Sequence, residues 1–395
     1  MTFEELTAFV DAHASDNADR LLLDKKAYPG IDMGMVVDQI EGRRQAVVKW
    51  PGLASHRGFV YPPRINREQS SSETTAEYKR QIVSALAGAD GTVADLTGGM
   101  GIDALCMAKS GAGRLFYVER DAGLCQIMTH NCRVLGIDNL TVFCADSMEW
   151  LKDRGRIDVI YADPSRRDEH GRRVSAFEDC EPDILKFGAM LHEHCGRLVV
   201  KASPMIDVHA AMKQLGDVND VYVIGVRGEC KEIVFVCGGM EGDVVMHCVD
   251  LRAEGDVVFC YPAGENTGEN LVLASEVGKY LYLPNAMITK AGPFELVGRK
   301  WNVAALARNT HAYTSDRMVE DFPGRAFVVK QELALNKKSV SKAVPSGKAH
   351  VVVRNFPQKA AALQQQLGLS EGGDLFVVAV TVGRRKVGLL CEKLY

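Results

Sequence analysis

From Thr92 onward, the chain alternates short runs of β-branched residues with segments of helical length. This alternation is typical of βαβ units, and it therefore predicts an open α/β fold with a mostly parallel sheet. The last two runs are too close together for a helical crossover, so they predict a hairpin that adds a late antiparallel strand. The predicted strands lie near residues 93–96, 115–118, 141–143, 159–161, 198–201, 221–224 and 233–236.

A glycine-rich segment joins the first predicted strand to the helix that follows it. It reads Asp95-Leu-Thr-Gly-Gly-Met-Gly101, and glycines at such a turn let the backbone bend tightly and approach a ligand closely. The expected ligand is a nucleotide-like cofactor. The stretch from Gly99 to Ala104 also fits the dinucleotide pattern G-x-G-x-x-A, so the glycines alone do not separate S-adenosylmethionine (SAM) from NAD.

Acidic residues follow four of the predicted strands, at the sheet edge where open α/β folds bind ligands. Glu119 is placed to accept hydrogen bonds from the ribose of either cofactor. Asp146 can accept from the adenine amino group of SAM, and the negative charge of Asp95 suits a sulfonium better than a pyrophosphate. The alternative for each acid is a helix N-cap or a turn. We favour SAM, with the predicted cofactor-binding residues Asp95, Thr97, Gly98, Gly99, Gly101, Glu119, Arg120, Asp146, Ser147 and Asp163.

The fourth predicted strand runs directly into Asp163-Pro-Ser-Arg166. The segment resembles the Asp/Asn-Pro-Pro-aromatic sequence of amino-methylating enzymes, which holds an amino group toward the methyl of SAM. We therefore predict catalytic roles for Asp163, Pro164, Ser165 and Arg166, with Asp163 orienting the acceptor and the Pro164 carbonyl as a second hydrogen-bond acceptor. Ser165 and Arg166 depart from the pattern, which leaves other nucleophiles open.

A basic loop follows this segment and is predicted to bind an anionic substrate. The alternative is that its arginines pair with Asp168 or Glu169 on the surface. Lys201, at the end of its own predicted strand, either faces the pocket or is solvated. The predicted substrate-binding residues are Arg166, Arg167, Arg172 and Arg173.

The regions on either side of the α/β segment show other patterns. Residues 1–75 have helical spacing and predict an accessory region, and Ser70-Ser-Ser-Glu73 has the spacing of a capping box that starts a helix toward Ala85. After Gly238, paired strands near residues 244–249 and 257–260 lead into a mixed segment. The tail then predicts a small α+β domain, with strands at 326–330, 350–354, 375–381 and 386–391 and a helix at 358–367.

The composition restricts the class of protein further. A hydrophobic fraction of 47% and a charged fraction of 25% are typical of globular proteins, and no run approaches the roughly 20 apolar residues of a membrane span. Eleven scattered cysteines without a Cys-x-x-Cys pair predict buried thiols in a reducing compartment. The acidic N-terminus does not resemble a secretory signal, so we expect a cytoplasmic protein. The net charge of −4 argues against a protein that coats nucleic acid. Two local basic clusters remain. The first is the arginine loop after Asp163, and the second is formed by Lys337, Lys338, Lys342, Lys348, Arg384, Arg385 and Lys386.

The sequence resembles bacterial class I SAM-dependent methyltransferases that carry a ferredoxin-like segment and a C-terminal THUMP-like domain. This resemblance implies a Rossmann-like methyltransferase sheet over 76–240 after the helical region 1–75, connecting strands and the ferredoxin-like segment over 241–323, and the THUMP-like domain over 324–395. It rests on Gln69 to Ala76, Val93 to Asp103, Ala162 to Asp168, Asn309 to Ser315, Asp321 to Arg325 and Val353 to Pro357.

By analogy of fold, the THUMP-like domain implies RNA as the partner. The leading hypothesis is therefore methyl transfer from SAM to a base in structured RNA. Three alternatives stay open: a methyltransferase for a small molecule or a protein, a non-catalytic protein that binds SAM or RNA, and a nicotinamide oxidoreductase. The sequence does not indicate an oligomeric state.

Overall fold

A computed structural model describes residues 1–14, 20–21, 28–109, 113–166, 177, 180–239 and 242–395. The chain divides into two compact units. The first unit contains Met1–Val221 and Glu232–Gly242, and the second contains Tyr222–Lys231 and Asp243–Tyr395.

Helices form the first part of the first unit, and polar side chains start several of them. Thr2 and Glu5 form a capping box, and Asp32 accepts hydrogen bonds from the amides of Gly34 and Met35. Such caps satisfy amides that have no partner inside the helix. The helices are α1 (Phe3–Ala12), α2 (Met33–Lys49), α3 (Pro51–Ala54), α4 (Arg64–Gln69) and α5 (Glu73–Ala87).

The start of α5 differs from its sequence prediction. Its N-cap is Ser72, whose hydroxyl accepts from the amide of Thr75 at 3.2 Å, while Ser70 lies at the C-terminal end of α4. Glu73 accepts a hydrogen bond from the amide of Gly52 at 2.7 Å instead of closing a capping box. The predicted box at Ser70 and Glu73 is therefore wrong, because a tertiary contact engages the carboxylate and the serine run offers another cap.

The α/β segment contributes seven neighbouring strands to one sheet, in the order β8-β9-β7-β4-β1-β2-β3, with the strands defined below. Strands β3, β2, β1, β4 and β7 are neighbours in that order and pair in parallel. Strand β9 pairs antiparallel to β7. The strands are β1 (Thr92–Asp95), β2 (Arg114–Glu119), β3 (Leu140–Cys144), β4 (Ile157–Ala162), β5 (Ser165–Arg166), β6 (Cys180–Glu181), β7 (Cys195–Ala202), β8 (Val218–Val226) and β9 (Glu229–Cys237). The helices are α6 (Ile102–Lys109), α7 (Ala122–Leu135), α8 (Ser147–Lys152), α9 (Gly188–His194) and α10 (Val208–Leu215).

All seven strands predicted for this segment are present, and the late hairpin is confirmed. Strands β8 and β9 are joined by Arg227 and Gly228, which both have positive φ (52° and 83°), as a two-residue hairpin turn requires. The short strands β5 and β6 form a separate antiparallel ribbon that the sequence analysis did not predict. The carboxyl ends of β1, β2, β3, β4 and β7 share one edge of the sheet, which is where the predicted cofactor-binding residues lie.

The second unit contains a seven-stranded sheet with the order β13-β14-β12-β15-β18-β17-β16, again defined below. Alternate residues of one strand enter two different hydrophobic clusters: Val378 and Val380 belong to one, and Val377 and Ala379 to the other. Both faces of this sheet are therefore covered. The strands of this sheet are β12 (Tyr280–Pro284), β13 (Ala304–Ala305), β14 (Tyr313–Ser315), β15 (Gly324–Leu333), β16 (His350–Arg354), β17 (Leu375–Val382) and β18 (Arg385–Lys393). Two further strands of the unit, β10 (Val245–Leu251) and β11 (Val257–Pro262), pair antiparallel with each other outside it. The helices are α11 (Ala286–Ala291), α12 (Phe294–Trp301), α13 (Lys337–Ala343) and α14 (Ala360–Leu367).

The order of the strands and the helix predicted for the tail is confirmed, but the prediction missed α13. This helix is rich in lysine and buries only Val340, so it gives almost no apolar periodicity. Its N-cap is Asn336, which accepts from the amide of Ser339. The eleven cysteines are free thiols, but only six of them are buried, and the prediction of buried thiols is wrong for the exposed Cys144 and Cys260. Within the described residues, no helix is long and apolar enough to cross a membrane.

Candidate active site

The glycine loop between β1 and α6 can be built only from glycine at two of its positions. A Cβ on Gly98 would lie 2.4 Å from the ring of Tyr117, and one on Gly101 would lie 1.9 Å from Cε of Met128. Gly101 also has a φ of 77°, a conformation that other residues rarely adopt. The loop is thus packed directly against β2 and α7, and its backbone is held close to the sheet edge.

Glu119 fixes this loop from the end of β2. One carboxylate oxygen accepts from the amide of Gly99 at 2.8 Å, and the other accepts from the amide of Asp121 at 2.9 Å. A carboxylate can accept about four hydrogen bonds, so Glu119 keeps capacity for the hydroxyls of a ligand. The next residue, Arg120, forms an ion pair with Glu181, with Nη2 lying 3.1 Å from Oε2.

Asp95 and Thr97 lie at the carboxyl end of β1, at the start of the glycine loop. Asp95 is buried, and its Oδ1 accepts from the amide of Thr97 at 2.9 Å and from its hydroxyl at 3.1 Å. Burial raises the pKa of Asp95 to about 8, and the nearby carboxylates of Asp103 and Asp163 contribute to that rise. The structure therefore favours a protonated Asp95 at neutral pH, whereas the sequence analysis treats this residue as an anion. A cation placed beside Asp95 would favour the ionised form.

Asp146 caps α8, which is the alternative role that the sequence analysis allows for it. Its Oδ1 accepts from the amides of Met148 at 2.9 Å and Glu149 at 3.0 Å, and Ser147 is the first residue of the helix. The side chain is exposed at the sheet edge. A role toward adenine stays a prediction, since a capping carboxylate still has acceptor positions on its other oxygen.

Asp163 lies directly after β4 and Lys201 lies near the end of the adjacent β7, where Ala162 pairs with Val200. Lys201 Nζ donates a hydrogen bond to Oδ2 of Asp163, and the two form an ion pair. The amide of Asp163 donates to the hydroxyl of Thr97 at 2.7 Å, which ties the end of β4 to the end of β1. Lys201 therefore faces the site, which is one of the two positions that the sequence analysis allowed for it.

The remaining predicted residues at this end are only partly described. Pro164 is buried, and the backbone of Ser165 and Arg166 forms β5 opposite Glu181 and Cys180. The predicted substrate-binding residues Arg167, Arg172 and Arg173 lie outside the described residues.

A buried charge network, which the sequence analysis missed, lies next to the Asp163–Lys201 pair. Lys79 on α5 is fully buried, and its Nζ lies 3.0 Å from Oδ1 of Asp103 on α6, 2.9 Å from Oε1 of Glu232 on β9 and 2.7 Å from the hydroxyl of Ser71. Tyr161 donates to Oδ2 of Asp103 at 2.9 Å. Four separate elements thus bring their polar side chains to one point under the sheet edge.

A signal for this network was available in the sequence. Lys79 lies on the same helical stripe as the buried Ala76 and Val83, and a lysine in an apolar stripe requires a buried partner. Glu232 likewise begins an otherwise apolar run in β9. Periodicity identifies such positions, but it does not indicate which residues pair.

The second unit contains a cavity of about 910 Å³ with a strongly basic lining. Burial lowers the pKa of both Arg325 and Arg354, and the charge of Arg325 lowers that of Arg354 further. Among the described residues, no carboxylate forms an ion pair with either of them. The cationic residues that line the cavity are Arg227, Arg252, Lys290, Arg325, Arg354 and Lys393, with Glu254 as an acid and His311 beside them.

These arginines are not the C-terminal basic cluster that the sequence analysis noted. In that cluster, Lys386 donates to the carbonyl of Asn355 at 3.1 Å, and Arg385 lies 3.7 Å from Glu332. Arg325 and Arg354 instead lie within two of the motifs that carry the family resemblance. Among the described residues, no group of three or more His, Cys, Asp or Glu side chains could hold a metal ion.

Comparisons with known proteins agree with this architecture. Residues 280–323 match a ferredoxin-like domain family, and residues 324–393 match a THUMP domain-like family. Over 100% of its length the chain is similar to 98% of a candidate methyltransferase from Porphyromonas gingivalis W83, with 29% identity and a TM-score of 0.89. No curated protein sequence matches significantly.

Two other solved structures are similar only in part. A candidate class I SAM-dependent methyltransferase from Listeria monocytogenes has 10% identity and a TM-score of 0.40, over 63% of this chain and 92% of that one. A T. thermophilus 16S rRNA methyltransferase in complex with AdoMet and guanosine has 14% identity and a TM-score of 0.33, over 45% and 46%. Neither likeness is close enough to support an argument about this chain.

The chain therefore has the Rossmann-like fold of the class I SAM-dependent methyltransferases. Its C-terminal residues form the ferredoxin-like and THUMP-like domains, and the resemblance that the sequence analysis identified is confirmed.

Proposed function

We propose that the chain transfers a methyl group from SAM to a nucleotide of structured RNA. The observation that carries the methyl transfer is the sheet edge itself, where a glycine loop held by Glu119 lies beside Asp95 and Asp163. Carboxylates at this edge suit a ligand with a sulfonium and an ammonium, and they would repel the pyrophosphate of NAD. SAM supplies an activated methyl group, so the protein needs mainly to bind and orient the reactants.

In this proposal the predicted site residues keep their roles. Glu119 accepts from the ribose hydroxyls of SAM, Asp146 accepts from the adenine amino group, and Asp163 attracts the cationic end. The bound cation in turn favours the ionised form of Asp95. The backbone of residues 97–101 contacts the amino-acid part, with Arg120 and Ser147 at the margin. We also retain the division into 1–75, 76–240, 241–323 and 324–395, and a cytoplasmic location, as proposals.

The basic cavity of the second unit supports RNA as the partner. Arg325 and Arg354 are partly buried cations without a carboxylate partner in the described part of the chain, and a phosphate would supply the missing negative charge. Both belong to the segment that matches the THUMP-like family. The net charge of −4 is compatible with such a site because the cations are concentrated in one place rather than spread over the surface.

Methyl-labelled SAM and total RNA from cells that lack the gene provide the direct test. The purified protein should label that RNA and should not label RNA from wild-type cells, whose sites are already methylated. If neither RNA is labelled although calorimetry shows SAM binding, the RNA proposal fails, and a small-molecule or protein acceptor or a non-catalytic role takes its place. If calorimetry shows no SAM binding, the methyltransferase proposal fails as well.

Asp163→Ala tests the reacting end in the same assay. We expect this variant to bind SAM and to lose turnover, because Asp163 should orient the acceptor rather than hold the cofactor alone. Asp153→Ala, which changes an exposed aspartate after α8, is the matched control. A fully active Asp163→Ala variant would remove Asp163 from the reaction.

A further inference from the structure

We propose that the acceptor is an oxygen nucleophile, the 2′-hydroxyl of a ribose, and that Lys201 acts on it together with Asp163. This proposal rests on the proposed function and specifies the atom that receives the methyl group. It differs from the base that the sequence alone predicts.

Lys201 lies beside Asp163, the residue proposed to orient the acceptor. Asp163 and Lys201 follow paired residues of adjacent parallel strands, so their side chains meet at the carboxyl edge of the sheet. The Asp163 side chain is 35% exposed and the Lys201 side chain is 11% exposed. An acceptor that reaches Asp163 from solvent therefore also meets the ammonium group of Lys201.

An amino group does not suit this pair. An exocyclic amine has two N–H donors and one lone pair, and that lone pair must point at the methyl group. A site for it should offer hydrogen-bond acceptors only, yet Lys201 is a donor with no acceptor capacity. Its N–H would compete for the lone pair that has to attack, and it already occupies one oxygen of Asp163.

A hydroxyl group suits the same pair. It has one donor and two lone pairs, so it can donate to Asp163, accept from Lys201 and still direct the second lone pair at the methyl carbon. Negative charge develops on the oxygen as its proton leaves, and a fixed ammonium beside it stabilises that charge.

The atoms and charges of this step balance. The hydroxyl oxygen forms a bond to the methyl carbon, the carbon–sulfur bond breaks, and its electron pair remains on sulfur as a neutral thioether. The hydroxyl proton passes to the carboxylate of Asp163. One cationic sulfonium and one carboxylate are thus consumed, and one ether, one thioether and one carboxylic acid are formed.

The buried network keeps Lys201 charged and in place. The charges of Glu232 and Asp103 act on Lys201, while Lys79 forms ion pairs with both carboxylates. Burial by itself would lower the pKa of Lys201, but Asp163, Glu232 and Asp103 outweigh it and raise the pKa. Lys201 is therefore a donor, and the proton acceptor is Asp163.

RNA offers one hydroxyl on each internal nucleotide, the ribose 2′-hydroxyl, because its phosphate oxygens are ionised and its base carbonyls carry no O–H. Methylation at this position has a chemical signature. A 2′-O-methyl group prevents the 2′-oxygen from attacking the neighbouring phosphate, so the linkage survives alkaline hydrolysis, whereas RNA methylated on a base is cleaved to mononucleotides.

The test is alkaline hydrolysis of RNA labelled by the full-length protein with methyl-labelled SAM. We expect the label in alkali-resistant dinucleotides. Label in mononucleotides would overturn the hydroxyl acceptor while leaving the RNA methyltransferase proposal intact. No labelled RNA at all would overturn both.

Variants of Lys201 test its role separately. Lys201→Met should reduce kcat by roughly 100-fold, as loss of one fixed donor to a developing oxyanion does, while the dissociation constant for SAM changes little. Lys201→Arg should recover part of the rate, and Lys213→Met, at an exposed lysine of α10, should leave it unchanged. Wild-type kcat in a folded Lys201→Met variant would refute the role of Lys201. Should that variant fail to fold, the product analysis of the wild-type protein still decides the acceptor.

Discussion

In the first unit, Lys79 and Lys201 lie among carboxylates, whereas in the second unit Arg325 and Arg354 line a cavity without a carboxylate partner in the described residues. The lysines are neutralised within the fold, so their charges can hold neighbouring groups in position. The arginines are partly desolvated, and the protein itself offers them little compensation. This difference supports our two proposals, that the first cluster positions reacting groups and that the arginines of the second bind an anionic ligand.

The largest effect on stability should follow from removing Lys79 from the buried charge network. Lys79→Met removes the cation between Asp103 and Glu232 and leaves buried negative charge, which should cost about 3 to 5 kcal/mol of the free energy of unfolding. Denaturant titration measures this. Lys152→Met, which breaks only the exposed pair with Glu149, should cost less than about 1 kcal/mol. If both variants lose the same free energy of unfolding, the buried network contributes no more to stability than an exposed ion pair.

A second test concerns Asp95, a buried carboxylate of the same unit that accepts hydrogen bonds from the amide and the hydroxyl of Thr97. Its folded-state pKa of about 8 lies above the ordinary value of 3.8, so its contribution to stability is fully present below pH 3.8 and is lost as the pH rises through 8. Relative to the wild type, Asp95→Asn should gain roughly 2 to 3 kcal/mol of unfolding free energy between pH 5 and pH 7. Parallel denaturant titrations at the two pH values measure the change, and a constant difference would mean that Asp95 ionises normally.

Glu119→Ala separates cofactor binding from the charge network. Losing hydrogen bonds to a charged acceptor should weaken SAM binding by roughly 1.5 to 3 kcal/mol, as measured by calorimetry. Glu77→Ala, at an exposed acid on α5 that pairs with Arg80, should bind SAM as the wild type does. Thermal unfolding should accompany both measurements, because Glu119 also holds the glycine loop. Unchanged affinity would place Glu119 outside the cofactor site.

The smallest effect should come from single substitutions of the cavity arginines Arg325 and Arg354. Arg325→Met or Arg354→Met should weaken RNA binding by about 1 kcal/mol and lower the slope of log affinity against log salt by roughly 1. Protein stability should hold or rise, since each change removes a desolvated cation. Arg299→Met, at an exposed arginine paired with Glu265, is the control. An unchanged salt slope would show that the cavity does not bind phosphate.

Much of the first unit could be predicted from local sequence. The strands, the glycine loop and the acids at the strand ends are encoded within short segments, because β-branched runs, turn glycines and strand-end carboxylates each act over a few residues. The buried network could not be predicted in this way. Asp103 and Glu232 are distant from Lys79 in the chain, and periodicity marks a residue as buried without indicating its partner.

The second unit shows the same limit in another form. The sequence analysis selected basic residues by their density and so chose 337–348 and 384–386, whereas the cavity brings together arginines that are far apart in the chain.

The sequence by itself determined the alternation of strands and helices, the glycine loop and the edge of the sheet at which its acids lie. Only the tertiary structure decided that Lys201 meets Asp163, that Lys79 contacts two carboxylates, and that Arg325 and Arg354 have no carboxylate partner among the residues that the structure describes. The physical reason is that backbone conformation depends mainly on neighbours in the chain. The state of a charge depends instead on every group within several ångströms and on how much water is excluded, and folding alone sets both.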